Sequence, residues 1–489
     1  MPQHLGVFFC DLSASQKKDA EARSAKSGTL ARGATVHELR LIGSNPNLGW
    51  GLESSFDDGG KGQPIDALTE DLLAFASHLY QADQLIKRPQ KKPHPWIREI
   101  ELHVGVQDER LWNDQATELT DLLHNLTHDT FRLSFYQRAD TRPVLRLPAT
   151  GPSVGGGVCV FSTHFKSVFG IACQSERGDL IASVRYGPGS PKSSQQKLIA
   201  EISRVTNPFS VIAFRLMPVN LPSLERTQRS LGFLQVALAA GLARRLGLPR
   251  IQLFDDAVSS YHLRDRQICG PGYAVRDTHP QFLWQTLHVF EKLKVVKDLK
   301  INNPFQFYTA TQILACLSGK NPKARQALLL QKTDSCLEKD LAKALSPNWK
   351  GTVPHCGCCF PCKLRRLAAL AADLETRNAH RAYAIDPLND QIPSAVLQGL
   401  GTNLKRRVEA YHIKGLSDFK DHLENFQKGP SDIRDPFIPE EIRNMSSTKL
   451  LLVASPPGPP KAEVTVADMF QSIFDAHARF YREVQTFLP

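Results

Sequence analysis

The chain reads as an α/β protein built on an open, mostly parallel sheet, with a four-cysteine zinc knuckle, an N-terminal α+β module and a helical C-terminal tail. Two patterns and one spacing predict this. From Gly151 short apolar runs rich in β-branched and aromatic residues (VCVFS, LIASVRY, FSVIAFRLMPV, RIQLF) alternate with long helical stretches. In SLERTQRSLGFLQVALAAGLARRLG, Leu224, Leu231, Leu234, Leu238, Leu242 and Leu246 form a stripe that must cover the sheet, and Gly247 followed by Pro249 ends the helix. Cys336 is followed by Cys356, Cys359 and Cys362 in the order C-x2-C-x2-C, the ligand spacing of a closed tetrahedral site.

In chain order, the first ~60 residues show no sustained periodicity apart from a possible strand at HLGVFF. Leu68, Leu72, Phe75 and Leu79 then recur at helical spacing and predict one apolar helix face. Ile100, Leu102, Val104 and Val106 line one strand face, and Phe131, Leu133 and Phe135 another, with the amphipathic LWNDQATELTDLLHNLT between them. These elements make up the N-terminal α+β module, residues 1–150. The α/β domain follows over 151–335, the knuckle over 336–370, and a helical region over 371–489 with a Pro-rich linker near 454–463. The loop from Lys87 to Arg98 carries Lys91, Lys92 and Trp96. It reads first as a solvated loop stiffened by Pro89, Pro93 and Pro95, and second as a grip for phosphate or a base.

With 42% hydrophobic and 22% charged residues in 489, the composition is that of an ordinary soluble protein large enough for two or three domains. Five of ten cysteines fall between Cys336 and Cys362, which speaks for metal binding in a reducing compartment over a secreted disulfide framework. The N-terminus lacks the basic start and long apolar core of a signal peptide, and LGFLQVALAAGLA is too short to span a bilayer, so the expectation is cytoplasmic, with no membrane partner. A net charge of +11 favours anionic partners; nucleic acid is among them but is not singled out.

Four sulfurs saturate a soft divalent ion and leave no position for water, so the expected metal is structural Zn2+ held by Cys336, Cys356, Cys359 and Cys362. The competing reading is free or redox thiols. Cys358 and His355 adjoin the set and leave the ligand assignment open to permutation.

The order of ERTQRSLGFLQVALAAGLA, RDTHPQFL, NNPFQFYTATQIL, DSC and CGCCFPCKLRR resembles the QueC-like proteins, relatives of 7-cyano-7-deazaguanine synthase, and is most similar to the QatC type of bacterial anti-phage defence cassettes. The resemblance runs from about Gly157 to Leu370, and the N-terminal module is also similar. It implies a fold of the adenine-nucleotide hydrolase (PP-loop) type. There an S-G-G-x-D-S loop grips pyrophosphate through backbone N-H groups and an Asp holds Mg2+, for ATP-dependent activation of a carboxylate. The aligned residues here are FSTHFKS. Ser162 and Ser167 are kept, Thr163 and His164 replace the glycines, which raises the cost of left-handed backbone by about 1–2 kcal/mol per residue, and Lys166 replaces the Asp. Ala310 follows Thr309 where a Lys is usual, and FDDAV, Phe254 to Val258, stands where related chains tend to read E-N-G-V.

The resemblance implies pocket residues at Ser162, Thr163, His164, Lys166 and Ser167, and at Arg276, Thr278 and His279; His279 also reads as a helix start. Arg226 and Arg229 sit one turn apart and point to an anion near the sheet's C-terminal edge, or to a surface pair with Glu225 or Asp256. No nucleophile with a base is evident, and ATP and Mg2+ are not expected cofactors. The leading expectation is therefore a zinc-stabilised QueC-like component of a defence cassette, with a nucleotide or 7-deazapurine pocket, a degenerate ATP loop and partner proteins from the cassette. The rivals are an active ATP-dependent enzyme that forms or attaches a 7-deazapurine on a protein or nucleic acid, with Lys166 holding phosphate, and a non-catalytic assembly scaffold.

Overall fold

The structure is a computed structural model, which describes residues 5–41, 46–54, 63–88, 97–138, 146–147, 156–176, 181–186, 194–205, 210–218, 220–221, 223–225, 229–261, 277–317, 321–336, 338–347, 355–374, 383–388, 397–398, 400–409, 420–421, 424 and 466–488. Its first half is β1 (Leu5–Cys10), α1 (Ala14–Lys26), β2 (Thr35–Leu39), β3 (Leu48–Ser54), β4 (Gln63–Pro64), α2 (Ala67–Leu85), β5 (Glu99–Val106), α3 (Glu109–Asp114), α4 (Ala116–Thr127), β6 (Thr130–Gln137) and β7 (Arg146–Leu147). The second half runs β8 (Gly157–Phe161), α5 (Phe165–Glu176), β9 (Ile181–Tyr186), α6 (Ser194–Val205), β10 (Ser210–Pro218), α7 (Leu231–Leu246), β11 (Arg250–Gln252), α8 (Ala257–Tyr261), α9 (Pro280–Lys292) and β12 (Lys300–Asn302). Then come α10 (Ala310–Leu314), α11 (Pro322–Lys332), α12 (Lys339–Leu345), α13 (Phe360–Ala371), α14 (Thr402–Val408) and α15 (Val466–Val484).

The protein is α/β, as its alternation of strands and helices predicts. The first sheet has the order β2-β1-β5-β6 with every pair parallel. The N-terminal unit is therefore itself α/β instead of α+β; β1 and β2 are strands of its sheet, while β3 joins the second sheet. Strand β1 is buried end to end, which is why it shows no period of two and reads as indeterminate in sequence. The second sheet has the order β12-β11-β8-β9-β10-β3, parallel except for β3, which runs antiparallel to β10. One core cluster spans both halves and includes Phe8, Leu102, Phe75, Phe233 and Phe290.

Helix α2 is buried from Thr69 to Leu85 on every side, not on one face. It lies between β1, β5 and α7, and its polar residues are matched inside: Glu70 and Asp71 face Arg138, and His78 lies 3.3 Å from Asp11. The basic loop is corrected in the same way. Lys87 is exposed, but Arg88 and Arg98 are buried and clamp Asp129 at 2.7 and 2.6 Å, with Asp83 also bound to Arg98. Burial opposes the Asp129 charge, yet Arg98 and Arg88 hold its carboxyl down to about 2. Lys91, Lys92 and Trp96 lie outside the described residues, as does the linker near 454–463.

Helix α7 begins at Leu231, two residues after Arg229, so Leu224 is not part of its stripe and is exposed. The Leu224 and Glu225 amides instead donate to the Gln84 carbonyl at the end of α2. Lys405 and Arg406 are exposed on α14. No helix among the described residues is long and apolar enough to cross a membrane.

Candidate metal centre and the crevice beside it

The knuckle is set by a turn that only glycine tolerates. Gly357 has φ +80, and a Cβ there would overlap the Ile385 carbonyl oxygen of the segment that returns over the turn. That segment is tied down by Ala384 N to His355 O at 2.7 Å and Ile385 N to Cys356 O at 3.3 Å. Cys359 then caps α13, with Pro361 in the first turn and Cys362 just inside it. Gly357→Ala is accordingly expected to destabilise the knuckle strongly, and a drop in zinc stoichiometry measured by atomic absorption checks it.

Cys336, Cys356, Cys359 and Cys362 are buried, and their sulfurs all lie within 4.8 Å of one another. Cys362 Sγ is 3.9 Å from Cys356 Sγ and 3.3 Å from Cys359 Sγ. A Zn–S bond of about 2.3 Å places tetrahedral sulfurs roughly 3.8 Å apart, so the set fits a soft divalent ion such as zinc. The Cys356 amide donates to Cys336 Sγ at 3.3 Å, and the Cys358 and Cys359 amides donate to Cys356 Sγ. Hydrogen bonds from Cys356, Cys359 and Cys362 hold the Cys336 thiol far below its ordinary range, while burial pushes those three far above it. Four buried thiols ionise together only around a cation. Cys358 Sγ faces the Cys356 carbonyl at 3.7 Å and His355 Nδ1 lies 4.0 Å from Cys362 Sγ, while the set whose ligand atoms all lie within 4.8 Å of one another is Cys336, Cys356, Cys359 and Cys362.

Beside the knuckle lies the switch point of the second sheet. The chain passes from β8 to β9 and β10 on one side and then crosses to β11 and β12 on the other, which makes the carboxyl ends of β8 and β11 the place where open α/β sheets form a crevice. Ser162, Thr163 and His164 are half-buried at its mouth, and Lys166 lies in the first turn of α5. The Ser162 amide donates to Ser167 Oγ at 3.0 Å, and that hydroxyl donates to the Val160 carbonyl at 3.2 Å.

Lys166 does not face an open anion site. Its ammonium binds Asp255, Asp256 Oδ2 at 2.8 Å and Ser259 Oγ at 2.8 Å. Ser259 also donates to Asp256, Thr278 Oγ1 donates to Asp255 Oδ2 at 3.3 Å, and Asn303 bridges the Asp255 carbonyl and Ser260. Lys166 and FDDAV are thus two halves of one buried ion network. Ala310 is fully buried behind the Thr309 cap. Asp277 completes the floor: its Cβ sits against Gly232, which any side chain there would displace.

The charges follow from this geometry. Burial pulls the Lys166 ammonium down, but Asp255 and Asp256 outweigh it and hold its pKa well above the ordinary lysine value. Burial raises Asp255 to about 7 against the attraction of Lys166, and raises Asp277 to about 6, whereas Asp256, bound to Lys166 and Ser259, stays below its usual value. His164 is pulled to about 4 by burial and by Lys166, and so is neutral near pH 7. A folded-state pKa of about 7 for Asp255 gives a stability term present below the unfolded value of about 4 and lost as pH rises through 7. Asp255→Asn is expected to flatten the decline in stability between pH 5 and pH 7.5, as measured by urea denaturation at both pH values.

The other expected residues fall elsewhere. His279 caps α9, accepting from the Gln281 amide at 3.3 Å, the helix-start role. Arg229 is buried away from the crevice, with Nη1 donating to the Thr127 carbonyl at 2.8 Å; burial and the nearby Arg88 pull its pKa to about 9. Arg226 and Arg276 lie outside the described residues. Ser259, Asp277 and Asn303 belong to the site without any motif to mark them. Comparison of the chain with protein-family models, with curated proteins and with solved structures finds no match.

Proposed function

We propose that the chain is a QueC-like, zinc-stabilised protein of a bacterial anti-phage defence cassette, of the QatC type. In this reading it works in the cytoplasm with partner proteins, on a fold of the adenine-nucleotide hydrolase type. Its crevice takes a nucleotide or 7-deazapurine but does not run the ATP chemistry of the family. The observation that carries this is the Lys166–Asp255–Asp256 network: a cation already bound by two carboxylates is no counter-charge for phosphate, and the described residues around it are net acidic. The same observation weighs against an active enzyme that grips phosphate with Lys166. The strand order, with β8 central and the crevice at its carboxyl end, supports the fold type.

Calorimetry with 7-cyano-7-deazaguanine and AMP, beside an assay of AMP and pyrophosphate release from ATP and Mg2+ in the presence of cassette partners, tests the reading. Binding without release is expected. Robust release that Lys166→Ala abolishes overturns it in favour of the enzyme, and no binding of either ligand overturns it in favour of a scaffold.

A further inference from the structure

The metal centre and the crevice touch through one short segment. The Asp334 amide donates to the Thr163 carbonyl at 2.8 Å, and Thr163 Oγ1 donates back to the Asp334 carbonyl at 3.0 Å. Ser335 Oγ accepts from the Phe165 amide at 3.4 Å, at the start of the helix whose next residue is Lys166. The following residue is Cys336, whose amide donates to Asp334 Oδ1 at 3.3 Å while its sulfur accepts from Cys356. The far side of the loop is fastened to β8 and α5 through Ser167. The loop is therefore held at one end by the sheet and at the other by a metal-ligand segment.

We propose that Asp334 and Ser335 are positioning residues that tie the crevice loop to the metal centre, so that metal binding and the placement of Lys166 are thermodynamically coupled. A metal on Cys336 fixes the backbone of 334–336, which fixes Thr163 and Phe165, which fixes the turn that presents Lys166 to Asp255 and Asp256. Coupling of this kind is reciprocal: a change that loosens the crevice weakens metal retention by the same factor that metal loss loosens the crevice. It rests on these contacts and holds whatever ligand the crevice takes.

The test follows zinc transfer from the full-length, zinc-loaded protein to a chromophoric chelator. Thr163→Val, Ser335→Ala and Lys166→Met alter no sulfur ligand; the first two are each expected to speed release by about two- to tenfold, the range that one hydrogen bond spans, and Lys166→Met, which strips a buried ion pair, by more than that. Leu119→Ala, a buried truncation in α4 of the first half, serves as the control for general destabilisation and is expected to release zinc at the parent rate. Parent-like rates in Thr163→Val and Lys166→Met overturn the proposal, as does equal acceleration in Leu119→Ala. Amide exchange on the parent protein gives a second readout that does not depend on any variant folding. On zinc removal the Phe165 and Asp334 amides are expected to lose protection before that of Ile251 in β11; uniform loss across the sheet overturns the coupling.

Discussion

A Cys359→Ala variant is expected to retain no stoichiometric zinc and to lose more than about 4 kcal/mol of stability, the scale at which loss of a metal stands apart from ordinary substitutions. Cys359 is buried, contributes one of the four convergent sulfurs and caps the helix that carries Cys362. Its removal opens the coordination shell and leaves Cys336 with Cys356 and Cys362, whose thiols burial pushes well above their ordinary range. Around them lies a small cluster, Leu341, Tyr383, Ile385 and Val408, too slight to hold the segment without the ion. Cys358→Ala is the matched comparison: its sulfur turns toward a carbonyl, so metal content stays at one per chain. Metal analysis together with thermal unfolding decides between the two outcomes.

Lys166→Met is expected to cost about 3–5 kcal/mol, the penalty for stripping one partner from a buried ion pair. Asp256 has no exposure and Asp255 little, so two carboxylates are left facing each other without a cation. Both folded-state pKa values then rise above the unfolded value of about 4, so the deficit is greatest above those values and closes as pH falls toward 4. Adding Asp255→Asn and Asp256→Asn is expected to recover most of the loss near pH 7. Urea denaturation of the parent, the single variant and the triple variant at pH 5 and pH 8 measures both effects.

The four converging cysteines are legible in the bare sequence because three of them, Cys356, Cys359 and Cys362, lie close together in C-x2-C-x2-C spacing and the fourth, Cys336, stands out by its isolation. Lys166 is legible too, as a lysine set among the apolar residues Phe165, Val168 and Phe169. Its partners are harder to read because they come 89 and 90 residues later. The compensating acids in FDDAV are the visible signal, an exchange of charge between two places that only the fold brings together. Burial of Arg88 and Arg98 has no such signal; a run of basic residues and prolines looks solvated until Asp83 and Asp129 arrive from other elements. Helix α2 misleads for a related reason. Periodicity reports a contrast between two faces, and the polar residues of its second face are also inside.

Strand β3 carries a cost in time. It is an early segment whose neighbour is a late one: Ser54 pairs with Ile212 across the antiparallel seam. At ~5–20 residues per second of synthesis, β3 waits roughly ten to thirty seconds for its mate to be made. During that interval β3 lacks its partner strand and leaves backbone groups open to pairing with other chains.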